Sequence, residues 1–210
     1  MNIANAENKF SRARAGGRRE FLNPETPSDK SRGYQKLESA VRAFRYDFRG
    51  KTVLDIGSST GGFTKLVLTL GAKKVIAVEK GTGQMETPLR FDSRIELHEK
   101  TDIFEFHDNS ADVIVADVSF LSLTKILKYA KLELARPTTD LLVMLKPQFE
   151  ANPKQLNRGV VKNESIRREI IKNFEFWLKT NGFIIIKKHD NDLTGKTGNR
   201  ERFYYLKLAK

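Results

Sequence analysis

The sequence predicts an α/β fold: a mostly parallel seven-stranded sheet with helices on both faces and one antiparallel strand. Three observations lead there. Short apolar runs alternate with helical patterns from residue 51 to the end of the chain, as crossover helices between parallel strands require. Residues 53–64, Val-Leu-Asp-Ile-Gly-Ser-Ser-Thr-Gly-Gly-Phe-Thr, read as a buried strand, a glycine-rich turn and the start of a helix. The last two strand-like runs follow one another across 189–201 with no helix between them, so one strand at the sheet's end must run antiparallel.

Taken in order, residues 1–33 are polar, basic and broken by Gly16, Gly17, Pro24 and Pro27. They predict a basic tail or linker over 1–30 ahead of a single domain over 31–210. A helix is expected over 34–46, where Leu37, Val41 and Phe44 share a face. Strands are expected at 51–56, 73–78, 94–98, 112–117, 140–146, 183–188 and 202–208. Helices are expected at 61–70, 83–90, 122–134 and 163–181. The last is the clearest: Asn163 can cap it, and Ile166, Ile170, Phe174, Trp177 and Leu178 form its apolar stripe. Gly182 ends it.

The chain of 210 residues has a net charge of +12, a balance that favours nucleic acid as partner. The charge is unevenly placed. Residues 1–33 carry +3 (seven basic, four acidic) and 154–210 carry +8 (fourteen basic, six acidic), whereas 34–153 carry only +1 (seventeen against sixteen). The basic ends, in particular Arg12, Arg14, Arg18, Arg19 and the loop from Lys154 to Lys162, are the expected polyanion contacts. Cysteine is absent, which excludes disulfides, thiol nucleophiles and zinc ribbons. His98, His107 and His189 are scattered and form no ligand pair, so no metal is expected. The longest apolar run is Leu141–Leu145, far short of a membrane span. The start lacks a secretory h-region, so a cytoplasmic protein without a membrane partner is expected.

The turn after the first strand carries the chemistry. Its spacing is D-x-G-x-x-x-G-G, from Asp55 through Gly57, Ser58, Ser59, Gly61 and Gly62. Glycines at such a turn bring backbone amides to a ligand at the carboxyl edge of the sheet. The acid before the first glycine disfavours a pyrophosphate and fits a cationic ligand such as S-adenosylmethionine (SAM). The glycine spacing likewise argues against a nicotinamide dinucleotide. Glu79 ends the second strand 22 residues after Gly57, where an acid accepts hydrogen bonds from ribose hydroxyls. Asp102, after the third strand, can accept from the adenine amino group or cap a short helix at 103–107. Phe63 and Gln84 are candidate pocket walls. Asp117 ends the fourth strand and Lys146 the very apolar fifth. A lysine there needs a partner, and Asp117 on the neighbouring strand can supply it. Lys36 and Glu201 lie where the topology allows them to reach the same edge.

Six stretches resemble one family. They are Ser-Arg-Gly-Tyr-Gln-Lys-Leu-Glu (31–38), Leu-Asp-Ile-Gly-Ser-Ser-Thr-Gly-Gly-Phe-Thr (54–64), Asp-Val-Ser-Phe-Leu-Ser-Leu (117–123), Leu-Lys-Pro-Gln-Phe-Glu (145–150), Gly-Val-Val-Lys (159–162) and Gly-Asn-Arg-Glu (198–201). In this order they resemble the TlyA branch of the FtsJ-like RNA 2′-O-methyltransferases, many of which carry the label hemolysin A. The resemblance implies a Rossmann-like SAM-dependent methyltransferase acting on cytidine 2′-oxygens of ribosomal RNA, with ribosomal RNA or ribosomal subunits as partner. It implies a Lys-Asp-Lys-Glu tetrad at Lys36, Asp117, Lys146 and Glu201. Lys146 would be the general base for the ribose hydroxyl, since burial and the Lys36 charge favour its neutral amine. Asp117 would orient that amine and also border the cofactor. Two departures accompany it. Residues 1–30 are too short and too rich in glycine and charge for the family's S4 RNA-binding module, and Gly33-Tyr34 stands where the family has Gly-Gly. A non-catalytic RNA- or ribosome-binding protein of the same fold, and a membrane-active hemolysin, are the competing functions.

Overall fold

A computed structural model describes residues 30–195 and 198–209. The arginines expected to contact RNA at positions 12, 14, 18 and 19 lie outside the described residues. The chain order is α1 (Arg32–Phe44), β1 (Thr52–Ile56), α2 (Gly62–Thr69), β2 (Lys74–Val78), α3 (Thr87–Arg90), β3 (Ile95–His98) and β4 (Val113–Ala116). It continues with α4 (Leu123–Tyr129), β5 (Asp140–Leu145), α5 (Pro147–Glu150), α6 (Glu164–Thr180), β6 (Phe183–Asp190) and β7 (Arg202–Leu208). The seven strands form one sheet in the order β3-β2-β1-β4-β5-β7-β6.

Strands β3, β2, β1, β4 and β5 pair in parallel. Strand β7 is antiparallel to both neighbours, β5 and β6. The sequence placed the antiparallel strand at the sheet's end. It is instead inserted one place in from the edge, between β5 and β6. The reason lies in the connection. With only a loop between them, β6 and β7 form a hairpin, and the paired β7 still has its second edge free for β5. The register places Leu145 opposite Arg202. The carboxyl end of β5 and the start of β7 therefore lie side by side.

Alternation along each strand sends successive side chains to opposite faces. Val53, Val75, Val113, Leu142 and Phe203 meet Leu37, Ala40 and Phe44 of α1 and Leu66 and Val67 of α2. Leu54, Ile76, Ile114, Leu141 and Tyr204 meet Ile126 and Leu127 of α4 and Ile171, Phe174 and Leu178 of α6. Asn163 caps α6 by accepting from the Ser165 and Ile166 amides, as its sequence indicates. The stripe on α6 is turned slightly from expectation, with Ile171 and Arg167 buried beside Ile170, Phe174 and Leu178. One helix is shorter than expected and another changes character along its length. The 83–90 segment is helical only over Thr87–Arg90, because Gly83 has a φ of 66° that a helix does not allow. The 122–134 segment is α-helical to Tyr129 and then widens to a π-helical turn over Ala130–Leu134.

Helix α1 begins where Ser31 accepts the Tyr34 amide proton at 3.3 Å. It docks through the fully buried Leu37. Truncating that side chain leaves a cavity between α1 and the sheet, at a cost of about 2–5 kcal/mol. Leu37→Ala should lower unfolding free energy by that amount in urea titration. A loss below about 1 kcal/mol would mean that α1 does not bury Leu37 in solution.

Candidate active site

The carboxyl edge of the sheet forms a crevice with two lobes. The larger, of about 660 Å³, is bordered by Lys36, Ser58, Phe63, Lys146, Gln148 and Glu201, among others. The second, of about 470 Å³, is bordered by Val78, Glu79, Gln84, Asp102, Ile103 and Val118, among others. Gly57, Ser59, Asp117, Ser119 and Phe120 border both. The lobes thus meet beside the ends of β1 and β4, where parallel strands diverge and open a cleft.

The four residues of the expected tetrad converge on the larger lobe. Asp117 follows the last residue of β4 and Lys146 follows the last residue of β5. Lys146 Nζ lies 2.6 Å from Asp117 Oδ1 and donates to Ser119 Oγ at 2.7 Å. Lys36, in the second turn of α1, lies 2.6 Å from Glu201 Oε2 and 3.9 Å from Asp117 Oδ2. Glu201 reaches this edge because it precedes β7, whose antiparallel register brings its start beside the end of β5. Lys36, Lys146 and Glu201 are buried, at 7%, 9% and 3% exposure. Two cations and two anions therefore form one nearly neutral chain, running Glu201–Lys36–Asp117–Lys146. Such balance is what burial of ammonium groups requires.

The glycine turn is placed differently from what its sequence implied in one respect. A Cβ on Gly62 would stand 2.5 Å from Ser31 Oγ and 2.8 Å from the Tyr34 amide nitrogen. A Cβ on Gly61 would run into Leu89. Gly61 is demanded by its φ of 91°, and Gly62 by close packing against backbone, which is what lets the start of α1 settle against α2. Gly57 serves the crevice itself: it has a φ of 78°, and a Cβ there would press on the Asp117 carbonyl oxygen at 3.3 Å. Ser58 Oγ is buried at the larger lobe and makes no hydrogen bond among the described residues. Phe63 packs on Phe203 with ring centroids 6.1 Å apart and still borders that lobe.

In the second lobe, Glu79 is organised by the turn. Its Oε2 accepts the Ser59 amide proton at 2.9 Å and its Oε1 that of Gly81 at 2.7 Å. Gln84 accepts from Ser59 Oγ at 3.1 Å. Asp102 takes up one of the two roles open to it, the cap, and keeps a place in the lobe. Its Oδ1 accepts from the Phe104 amide and caps a short 3-10 helix over Ile103–Glu105. Its other oxygen takes a hydrogen bond from Lys80 at 2.8 Å, and it still borders the lobe. Sequence reasoning passed over Ser119, Phe120 and Gln148. Phe120 is 88% exposed with a left-handed φ of 65°, and Phe149 lies against it at 5.4 Å. The signal was present in Asp-Val-Ser-Phe, a large apolar side chain directly after a polar one at the sheet's carboxyl edge.

These groups fit SAM. A carboxylate at the end of β2 suits ribose hydroxyls, the apolar Ile103 and Val118 border the same lobe, and the unpaired Ser58 hydroxyl and the turn between β1 and α2 offer polar contacts in the other.

Comparison with known proteins agrees. Residues 30–208 match the FtsJ-like methyltransferase family. The YqxC protein of Bacillus subtilis is 34% identical over 182 residues, covering 84% of this chain and 64% of its own length. The 23S rRNA (cytidine-2′-O)-methyltransferase TlyA of Campylobacter jejuni is 35% identical over 178 residues, covering 83% of this chain and 69% of its own. This chain thus spans about two thirds of the length of these relatives. A solved structure described as a "putative hemolysin" from Streptococcus thermophilus superposes with a TM-score of 0.81 at 32% identity, over 90% of this chain and 70% of that one. The chain belongs to the FtsJ-like methyltransferase family. Its domain is a SAM-dependent methyltransferase domain, and SAM is its cofactor.

Asp55 does not border either lobe. It is 1% exposed, and its Oδ2 accepts from Thr64 Oγ1 at 2.6 Å. Burial pushes its carboxyl up to about 7; the Thr64 hydrogen bond opposes the rise and the Asp117 charge adds to it. The folded carboxyl keeps its proton to higher pH than the unfolded one, near 3.9. The folded state therefore binds more protons between about pH 4 and 7, and this group's contribution to stability falls as pH rises through that window. Asp55→Asn should remove that fall. Urea midpoints of the ligand-free proteins should converge or cross as pH rises toward neutrality, and parallel pH profiles would contradict the assignment.

Proposed function

We propose that this member of the FtsJ-like methyltransferase family transfers the methyl group of SAM to a ribose 2′-hydroxyl of ribosomal RNA, at a cytidine. One observation carries the reading: Lys146, Asp117, Lys36 and Glu201 form a continuous chain of ion pairs at the larger lobe, with Asp117 where the two lobes meet. When bound, SAM supplies an electrophilic methyl carbon on a sulfonium. Residues Glu79, Gln84, Asp102, Ile103 and Val118 would hold its adenosine end, and the β1–α2 turn with Ser58 would hold its amino-acid end.

A ribose hydroxyl is a weak nucleophile and must lose its proton as it bonds to the methyl carbon, whose bond to sulfur breaks so that a neutral thioether leaves. To accept that proton Lys146 must enter the step as the free amine, and it ends as the ammonium that pairs with Asp117 in the structure. Asp117 and Ser119 fix the direction of the Lys146 nitrogen, at 2.6 and 2.7 Å. Lys36, held by Glu201, keeps a positive charge beside the reacting oxygen, where it stabilises developing negative charge. Alignment of oxygen and methyl carbon by this rigid cluster supplies much of the acceleration. The exposed ring of Phe120 at the rim of both lobes offers a face on which a base turned out of its stack can lie.

Ribosomal RNA as the substrate class is supported by the net charge of +12 and by the activity in the printed name of the Campylobacter relative. That name also supports cytidine. The exposed, basic 154–162 loop remains an RNA contact in this reading. Among the described residues no helix is long and apolar enough to cross a membrane, and no observation favours the hemolysin reading over methyl transfer.

The base assignment has a direct test. Lys146→Ala should abolish tritiated-methyl transfer from SAM to ribosomal RNA and leave SAM affinity by calorimetry nearly unchanged. Lys146→Arg should be equally inactive, because a guanidinium stays protonated. An active arginine variant would show that position 146 supplies charge alone.

A further inference from the structure

The turn at 157–160 is built more firmly than a solvated basic loop requires. Asn157 and Val160 exchange both backbone hydrogen bonds, at 2.8 and 3.0 Å, and close a two-residue loop. Its central residues, Arg158 and Gly159, have φ values of 50° and 80°, the pattern of a type I′ hairpin turn. Glycine adopts this conformation freely, but a long side chain on Cβ is strained there, and such strain clusters at ligand clamps. The turn is also tied from behind. Asn199, 1% exposed, donates from Nδ2 to the Gly159 carbonyl at 3.1 Å and accepts at Oδ1 from the Val161 amide at 3.0 Å. Asn199 stands two residues before Glu201, so one segment fixes both the turn and a member of the tetrad. Gly159 borders the larger lobe. Its neighbour Arg158 is exposed and, among the described residues, pairs with no carboxylate.

We propose that Arg158 is a phosphate anchor. Its guanidinium binds the RNA phosphate next to the nucleotide whose ribose enters the larger lobe. The proposal rests on the RNA methyl-transfer reading above and names one contact within it. A guanidinium matches phosphate oxygens through paired N–H donors. Asn199 ties the turn of Arg158 to the segment that carries Glu201, so phosphate and tetrad keep a fixed spacing. The other anion that could occupy this place is the carboxylate of SAM, and the test separates the two.

Arg158→Asn removes the charge but keeps a residue that tolerates left-handed φ, and Arg158→Gly relieves the backbone altogether. In both, thermal stability and SAM affinity should be at least as high as in the parent protein. Binding to total ribosomal RNA, measured by filter retention across a salt series, should show a log–log salt slope flatter by about 0.7–0.9. KM for RNA should rise about tenfold while kcat stays nearly unchanged, the pattern of a lost uniform binding contact. Arg158→Lys should keep most of the slope. Unchanged slope and KM in Arg158→Asn would overturn the proposal. So would weakened SAM binding, which would assign the anion to the cofactor. Failure of the parent protein itself to bind or methylate ribosomal RNA would instead sink the RNA reading, a result distinct from either.

Discussion

Two lysine ammonium groups share one small buried volume, and the rest of the site is arranged around that constraint. Each ion taken from water costs several kcal/mol unless it is paired, and like charges side by side add to the cost. Asp117 and Glu201 provide the compensation, at 2.6 Å from Lys146 and Lys36 respectively. No two of these four residues come from the same element. Lys36 belongs to α1, Asp117 follows β4, Lys146 follows β5 and Glu201 precedes β7. The insertion of β7 beside β5 is what delivers Glu201, since a β7 at the outer edge would carry it one strand further away. The docking of α1 is what delivers Lys36, and it depends on the missing side chain at Gly62.

The same wiring joins the tetrad to the cofactor lobe. Asp117 pairs with Lys146, borders both lobes, and presents its carbonyl to the place a Cβ on Gly57 would occupy. Through Ser59 the turn is bonded to Glu79 at the end of β2. In the proposed reaction, methyl donor and acceptor are therefore located by one connected set of contacts at the edge of the sheet. Ser119 and Phe120, immediately after Asp117, extend that set toward the open rim. Most of these residues sit directly after parallel strands whose cores are fully buried, so the catalytic geometry inherits the rigidity of the sheet.

Much of this was legible in the sequence, for local reasons. The central strands β1, β2, β4 and β5 are buried on both faces and stand out as apolar runs, so their positions emerge within a residue or two. Lys146 is conspicuous as an ammonium directly after Leu141–Leu145. Topology allows Lys36 and Glu201 to reach this edge, but their place in one tetrad rests on the family resemblance, because no spacing rule links residues 165 positions apart. Features set by distant partners were harder to read. The place of β7 depends on which strand edge remains free after the hairpin forms. The reason for Gly62 lies at Ser31 and Tyr34, far back in the chain. Asp102 has two compatible roles, and only the cap, with the Phe104 amide and Lys80 as its partners, involves neighbours within the chain. Asp55 read as a ligand contact, but Thr64 on α2 holds it beneath the turn. Phe120 is invisible to periodicity because its backbone is left-handed and its ring packs into no core.

The central claim is that this buried chain of two lysines and two carboxylates activates a ribose hydroxyl. Mass spectrometry of nucleosides from ribosomal RNA incubated with the protein and isotopically labelled SAM tests it most directly. The account predicts the labelled methyl on a ribose, recovered as 2′-O-methylcytidine. A label recovered only on a base, or none in RNA from a protein that binds SAM, would contradict it.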